Sequence, residues 1–343
     1  MKIIQILPEL DIGGVERHVI DLSNELAERG HDVMVISNGG QMQSQLSDKV
    51  IHRKLPVHKK NPITAMGCSV KISSWIRKEG WQLIHAHSRV PAWIAWRTSS
   101  KTKIPWIYTA HACYSLNYGL VPLKHAGYVI SVSETVEHHI RDFLPQAHSV
   151  IPVALPEPTI KWDPENRGKN KFIFVGRLTK IKGLNTVIEA LGKLKDENWV
   201  LNVLGDGPER KKLEGQATAL GIEDKIIFHG YSEEADKFMA RSSCLLFPSL
   251  SEGYGLVLAR ALQIGLPVIA SNIEQVKKIL GSTENMPYPC DVDSWAEEIK
   301  KEIFGLRSYD EKKIKVFGMN EMADGILKLY RSALCGRFSN DGE

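Results

Sequence analysis

Residues Ser251 to Ser271 read SEGYGLVLARALQIGLPVIAS, and this stretch decides the fold class. A carboxylate, Glu252, is followed at once by a turn holding two glycines, Gly253 and Gly255. The run Leu256, Val257, Leu258, Ala261, Leu262 and Ile264 has the apolar density of a buried helix. Gly265 ends that helix, Pro267 follows, and Val268-Ile269-Ala270 reads as a core strand. This is a loop–helix–strand unit of an α/β protein. A glycine turn at a helix N-terminus also exposes backbone N–H groups at the positive end of the helix dipole, which favours phosphate. Tyr254, Gly255 and Leu256 would supply those groups.

Working outward, Lys171 to Gly183 reads KFIFVGRLTKIKG: a strand over Phe172 to Val175, then a glycine-rich loop carrying Arg177, Lys180 and Lys182, then a helix from about Leu184. Cations in a strand-to-helix loop suit a diphosphate, and the Arg177 fork can bind two oxygens at once. An isolated basic loop would mean little beyond solubility. Joined to the acidic glycine turn it describes a site, with Arg177 and Lys182 as the diphosphate cations.

VGRL-x3-KG followed by EGYGLVLARALQIGLPVIAS resembles the C-terminal half of a GT-B glycosyltransferase, specifically the large retaining family 4. The opening MKIIQILPELDIGGVERHVIDLSNELAERGHDVMVIS is similar to that family's first strand, GG loop (Gly13, Gly14) and first helix. YTAHACYS around His111, VISVSE at Val129 to Glu134 and VLGDGPER at Val203 to Arg210 follow in the family's order. The N-terminal half, with HSRVPAW at His87 to Trp93, looks most like bacterial lipopolysaccharide and cell-surface glycan enzymes.

The resemblance implies an α/β GT-B fold of two Rossmann-like, doubly wound domains facing across a cleft. Residues 1–155 would form the acceptor-side domain, 156–170 a linker, 171–318 the nucleotide-sugar domain, and 319–335 a C-terminal helix returning to the first domain. It further implies retaining transfer of a sugar, a hexose by expectation, from a nucleotide-sugar (a UDP- or GDP-sugar) to a hydroxyl of a membrane-associated glycan or glycolipid. Glu252 would sit beside the donor sugar's hydroxyls and His111 near the sugar and the attacking hydroxyl, as the catalytic pair. Gly14 would lie near the donor diphosphate or the acceptor, and Asp206, His229, Tyr231 and Arg260 at the nucleoside pocket. One departure stands out. Where the family usually holds a second glutamate against the ribose, this chain has Arg260, which has no lone pair to accept a hydroxyl. A non-catalytic GT-B-fold accessory protein with impaired donor binding is therefore the alternative reading.

Composition sets the bounds. The 343 residues predict two domains, and 43% apolar with 24% charged content is that of an ordinary folded protein. Five scattered cysteines without CxxC spacing argue for a reducing compartment, and most read as small core residues. MKIIQIL is too short for a signal peptide, and no apolar run is long enough to span a bilayer. The expected location is cytoplasmic, peripheral on the inner face of the membrane. A net charge of +4 hides an asymmetry: Lys49 to Ser133 holds thirteen basic residues against Glu79 alone, so it carries +12 and the remainder −8. Trp75, Trp81, Trp93, Trp96 and Trp106 fall in the same stretch, a mix suited to an anionic membrane surface. The competing reading puts Trp93 and Trp96 in a core. No nucleic-acid motif accompanies the charge.

The first half alternates strand patterns (Lys2 to Leu7, Val33 to Ser37, Leu83 to Ala86, Trp106 to Ala110, Tyr128 to Val132, Ser149 to Pro152) with helical ones. GxGxxG is absent, which weakens a nicotinamide-dehydrogenase reading. Gly13-Gly14 allows close backbone approach to a ligand, or else serves a tight turn of positive φ. No DxD metal motif appears in a fitting place, since DVD at Asp291 to Asp293 reads as a helix cap. The expectation is metal-independent transfer with no cofactor. A sugar-nucleotide epimerase and a nucleic-acid binder are the remaining, weaker readings.

Overall fold

Every pairing between the named strands is parallel, the arrangement expected when apolar strands alternate with helices that cover both faces of a sheet. The computed structural model describes residues 1–165, 168–280, 286–307 and 317–336. They divide into two units, Met1–Pro156 with the chain from Phe317 onward, and Glu157–Val316.

In the first unit the strands are β1 (Lys2–Ile6), β2 (Asp32–Ser37), β3 (Val50–Lys54), β4 (Leu83–His87), β5 (Trp106–Ala110), β6 (Tyr128–Ser131) and β7 (His148–Val150). Helices α1 (Gly14–Glu28), α2 (Pro62–Glu79), α3 (Arg89–Thr102) and α4 (Glu134–Ile140) connect them. The sheet order β3-β2-β1-β4-β5-β6-β7 reverses between β1 and β4, so the loops after those strands splay apart at a topological switch point. Strand β3 is absent from the sequence reading: its IHR core alternates weakly, and its side chains are mostly part-exposed, as an edge strand allows.

In the second unit β8 (Lys171–Val175), β9 (Val200–Leu204), β10 (Ile226–Gly230), β11 (Cys244–Phe247) and β12 (Val268–Ala270) form a sheet of order β10-β9-β8-β11-β12, with its switch point between β8 and β11. Its helices are α5 (Leu184–Gly192), α6 (Arg210–Leu220), α7 (Ala235–Ala240), α8 (Leu256–Ile264), α9 (Glu274–Leu280) and α10 (Val292–Ile303). Asp291 caps α10 through the backbone N–H groups of Asp293 and Ser294, which accounts for the DVD sequence. The segment expected as a linker is partly built into this unit. Ile160 and Trp162 pack on its core, and the Trp162 indole donates to the Ser242 carbonyl at 2.9 Å. The last helix, α11 (Met319–Leu334), belongs to the first unit and buries Met322, Ile326 and Tyr330 against its sheet.

Gly183 shows how tightly the site loops are fastened. Its φ is +68°, and a Cβ there would stand 2.1 Å from the Pro248 carbonyl oxygen. Gly183→Ala therefore forces backbone apart as well as adopting an unfavourable dihedral. We expect a loss above about 2 kcal/mol, seen as a fall in Tm of roughly 5 °C or more. A melt unchanged from the parent would mean that the β8 and β11 loops do not meet there.

Candidate functional site

In the second unit the switch point brings together the two loops that the sequence singles out. Lys182 ends a short 3₁₀ turn after β8, and Glu252 lies in the glycine turn after β11. The Lys182 Nζ is 2.5 Å from Glu252 Oε1, and the Ser249 hydroxyl donates to the same oxygen at 2.6 Å. Glu252's side chain is only 10% exposed, so this cation and hydroxyl offset the cost of burying its charge. The loops are also stitched by backbone, with Leu250 N–H donating to the Ile181 carbonyl at 2.8 Å. Ser249 is absent from the sequence reading, because a serine ending a strand carries no distinguishing pattern.

Gly255 takes φ +88° as the N-cap of α8 and makes no side-chain cap bond to the first turn. The turn over Tyr254, Gly255 and Leu256 thus presents helix N–H groups beside Glu252. Burial of Tyr254 raises its phenol above the ordinary value. Arg177 follows Gly176 on the same loop as Lys182 and is exposed.

Arg260 is held by its neighbours on α7 and α8. Its Nε donates to Asp236 Oδ1 at 3.0 Å, its NH2 lies 2.7 Å from Asp236 Oδ2, and its NH1 reaches Gln263 Oε1 at 3.0 Å. This two-pronged pair fastens α7 to α8. Of the other nucleoside-pocket candidates, Asp206 accepts from Gly207 N–H and Arg210. His229 bonds Asn202 at 2.8 Å, and Tyr231 is 36% exposed after β10. Asp206 follows β9, which neighbours β8, whereas His229 sits near the end of β10 and Tyr231 just after it, one strand further out.

The first unit carries a second polar cluster at its own switch point. Along β4, Leu83, His85 and His87 alternate onto one sheet face, and Gln5 pairs in register with His85. Toward the strand ends the face turns polar: Gln5, His85, His87 and Thr109 are all fully buried. Helix α11 supplies Tyr330, whose hydroxyl receives Gln5 Nε2 at 3.1 Å and meets His85 Nδ1 at 2.6 Å. His85 Nε2 reaches Thr109 Oγ1 at 2.7 Å. Gln5 Oε1 faces His87 Nε2 at 2.8 Å, so that nitrogen carries the proton and His87 Nδ1 is left as an acceptor. His111 Nε2 lies 2.9 Å from that Nδ1 and donates to it. His18, on α1, stands against both rings, and neither of its nitrogens has a hydrogen-bond partner.

Burial lowers the pKa of all four histidines, to about 4 for His18 and well below the usual range for His85, His87 and His111. At neutral pH the cluster is uncharged. The sequence reading selects only His111 from it; the H-x-H spacing of β4 is the available signal for the rest. Gly14 opens α1 nearby and is exposed, and neither Gly13 nor Gly14 has positive φ. The tight-turn explanation for this glycine pair therefore falls.

The basic stretch is less of an aromatic surface than its composition suggests. Trp81 and Trp106 are core residues at 4% and 2% exposure. Arg53 stacks on Trp75 and pairs with Glu79 at 2.8 Å, while Trp96 stacks on His125. No helix among the described residues is long and apolar enough to cross a membrane. Of the five cysteines, Cys68 and Cys244 are buried, whereas Cys113, Cys290 and Cys335 are exposed, against the expectation that most sit in the core.

Comparison with known proteins places both halves. Residues 157–303 match the family model "Glycosyl transferases group 1", and residues 12–154 match "Glycosyltransferase Family 4". One component of the human phosphatidylinositol N-acetylglucosaminyltransferase is 26% identical over 87% of this chain and 67% of its own. The lipopolysaccharide 1,6-galactosyltransferase of Escherichia coli K12 is 29% identical over 51% of this chain and 52% of its own. The crystal structure of Anabaena Alr3699/HepE in complex with UDP and glucose superposes with a TM-score of 0.82 at 19% identity, covering 97% of this chain and all of that one.

Proposed function

Since the chain belongs to the group 1 glycosyltransferases, with the GT-B fold, we propose that it transfers a sugar from a nucleotide-sugar to a hydroxyl of a membrane-associated glycan or glycolipid, with retention of configuration. The observation that carries this reading is the Lys182–Glu252–Ser249 constellation at the switch point of the second unit. Lys182 and Arg177, aided by the N–H groups of the Tyr254 to Leu256 turn, stabilise the departing diphosphate. Fixed cations and helix N–H groups do this without a metal. Ser249 and Lys182 hold Glu252 by Oε1, which leaves Oε2 to accept from a sugar hydroxyl and orient the donor.

In the first unit, His87 accepts from His111 and so fixes which nitrogen of that ring is protonated. His111 thereby presents one defined tautomer to the acceptor side. Arg260 does not by itself decide between an active enzyme and an accessory protein. Its guanidinium is taken up by Asp236 and Gln263, so the substitution removes a ribose acceptor without leaving an uncompensated cation.

Two features favour a lipid-linked acceptor in cell-surface glycan assembly. Two of the relatives are named for phosphatidylinositol and for lipopolysaccharide, and α2 exposes Ile63, Met66 and Val70 (76%, 45% and 53%) at helical spacing beside Lys59, Lys60 and Lys71. That face suits peripheral contact with an anionic membrane on its cytoplasmic side. Calorimetric titration with UDP- and GDP-sugars should give saturable binding to one base class, and mass spectrometry should detect sugar added to extracted envelope glycolipid. Binding of neither class would favour the accessory reading.

A further inference from the structure

We propose that His18, His87 and His111 form a three-histidine site for a divalent transition-metal ion of the zinc class, within the first unit. The site goes beyond the transfer reading and does not depend on it, although an ion there would displace the His87–His111 hydrogen bond from which that reading takes its His111 tautomer. The ring centroids form a triangle with sides of 4.9, 5.2 and 5.7 Å. Three imidazoles bound to one zinc at about 2.0–2.1 Å, with tetrahedral angles, place their centroids about 5 Å apart. One ligand atom from each ring lies within 4.8 Å of the others, so the His18 nitrogen closes by up to about 1.5 Å while the His87 and His111 nitrogens open slightly from 2.9 Å.

The chemistry of each ring fits. Imidazole binds metal in its neutral form, and burial holds these three rings neutral at pH 7. His18 is buried with both nitrogens unpartnered, a cost that an ion would relieve at one of them. His87 donates Nε2–H to Gln5 Oε1, and Gln5 is in turn held by Tyr330. This is how a ligating histidine is usually oriented, and it leaves Nδ1 aimed at the ion. His111 would ligate through Nε2, its proton moving to Nδ1, and the ion would replace the His87–His111 hydrogen bond. Three nitrogens and no oxygen ligand select zinc, cobalt, nickel or copper over magnesium or calcium. A fourth position stays open for water, and the ion would take His111 out of any proton-handling role.

The test uses the full chain stripped with a chelator and titrated with Co²⁺, then Zn²⁺, with Mg²⁺ as control. We expect visible d–d bands of four-coordinate cobalt saturating near one equivalent, and a zinc-dependent rise in Tm of about 5 °C that magnesium does not give. His18→Leu should abolish both signals while leaving the metal-free Tm equal or higher, because it removes two unpartnered nitrogens. His111→Gln is the second test should the leucine variant not fold. Either variant keeping the cobalt bands, or a parent chain with no response up to about 1 mM metal, overturns the proposal.

Discussion

Lys182→Ala is expected to lower sugar transfer by about 10²- to 10³-fold, the cost typical of losing one preorganised group at a site of developing negative charge. Two losses combine at this position. On the proposed reading the diphosphate loses a cation, and Glu252, 10% exposed, keeps only the Ser249 hydroxyl of its two partners at Oε1. The two losses separate experimentally. If Lys182 meets the diphosphate, affinity for the free nucleoside diphosphate falls along with turnover. If it acts only by holding Glu252, affinity for the free diphosphate is unchanged and the defect appears with the intact donor alone. Glu252→Gln complements this, since it keeps the shape and gives up the charge, and turnover should fall while the diphosphate still binds. Turnover within about threefold of the parent in folded Lys182→Ala protein would remove Lys182 from the site.

Acid should unfold the first unit selectively. His18 titrates near 4 in the folded state, against an ordinary value of 6.5, because burial disfavours its charged form. The unfolded chain therefore binds the proton more readily, so stability rises with pH between about 4 and 6.5 and is flat above that window as far as this group is concerned. The difference corresponds to about 3 kcal/mol for His18 alone. His85, His87 and His111, lowered by the same cause, act in the same direction. Calorimetric melts from pH 8 to pH 4 should show the transition of this unit falling steeply below pH 6.5, and His18→Leu should flatten that slope. A transition whose Tm holds steady down to pH 5 would contradict the burial of these rings.

The glycine turn, the cationic loop and the strand-alternation pattern are legible in the chain because each is a local signal. Gly255 must take a positive φ to start α8, and Gly265 must take one to end it, so both announce their turns in sequence. Strand β8 is legible to within one residue, since its apolar run is bounded by a charged residue and a glycine. What escapes is long-range. Asp236 on α7 gives Arg260 its partner from 24 positions away, and Tyr330 reaches Gln5 across 325. Neither separation leaves a periodicity to read. The basic neighbourhood of Trp81 and Trp106 suggests an interface, but burial depends on which side of a sheet or helix a residue meets.

By itself the sequence determined two α/β halves, a phosphate-friendly turn at Glu252 to Leu256, and the cations that accompany it. Those properties follow from hydrogen-bond geometry and side-chain period within a few residues of chain. Only the tertiary structure decided that Lys182 and Ser249 converge on one oxygen of Glu252, that Asp236 answers Arg260, and that four neutral histidines gather beneath α1 and α11. Convergence of that kind depends on strand order, and the reversal at each sheet's switch point brings distant loops together where the local chain carries no record of the meeting.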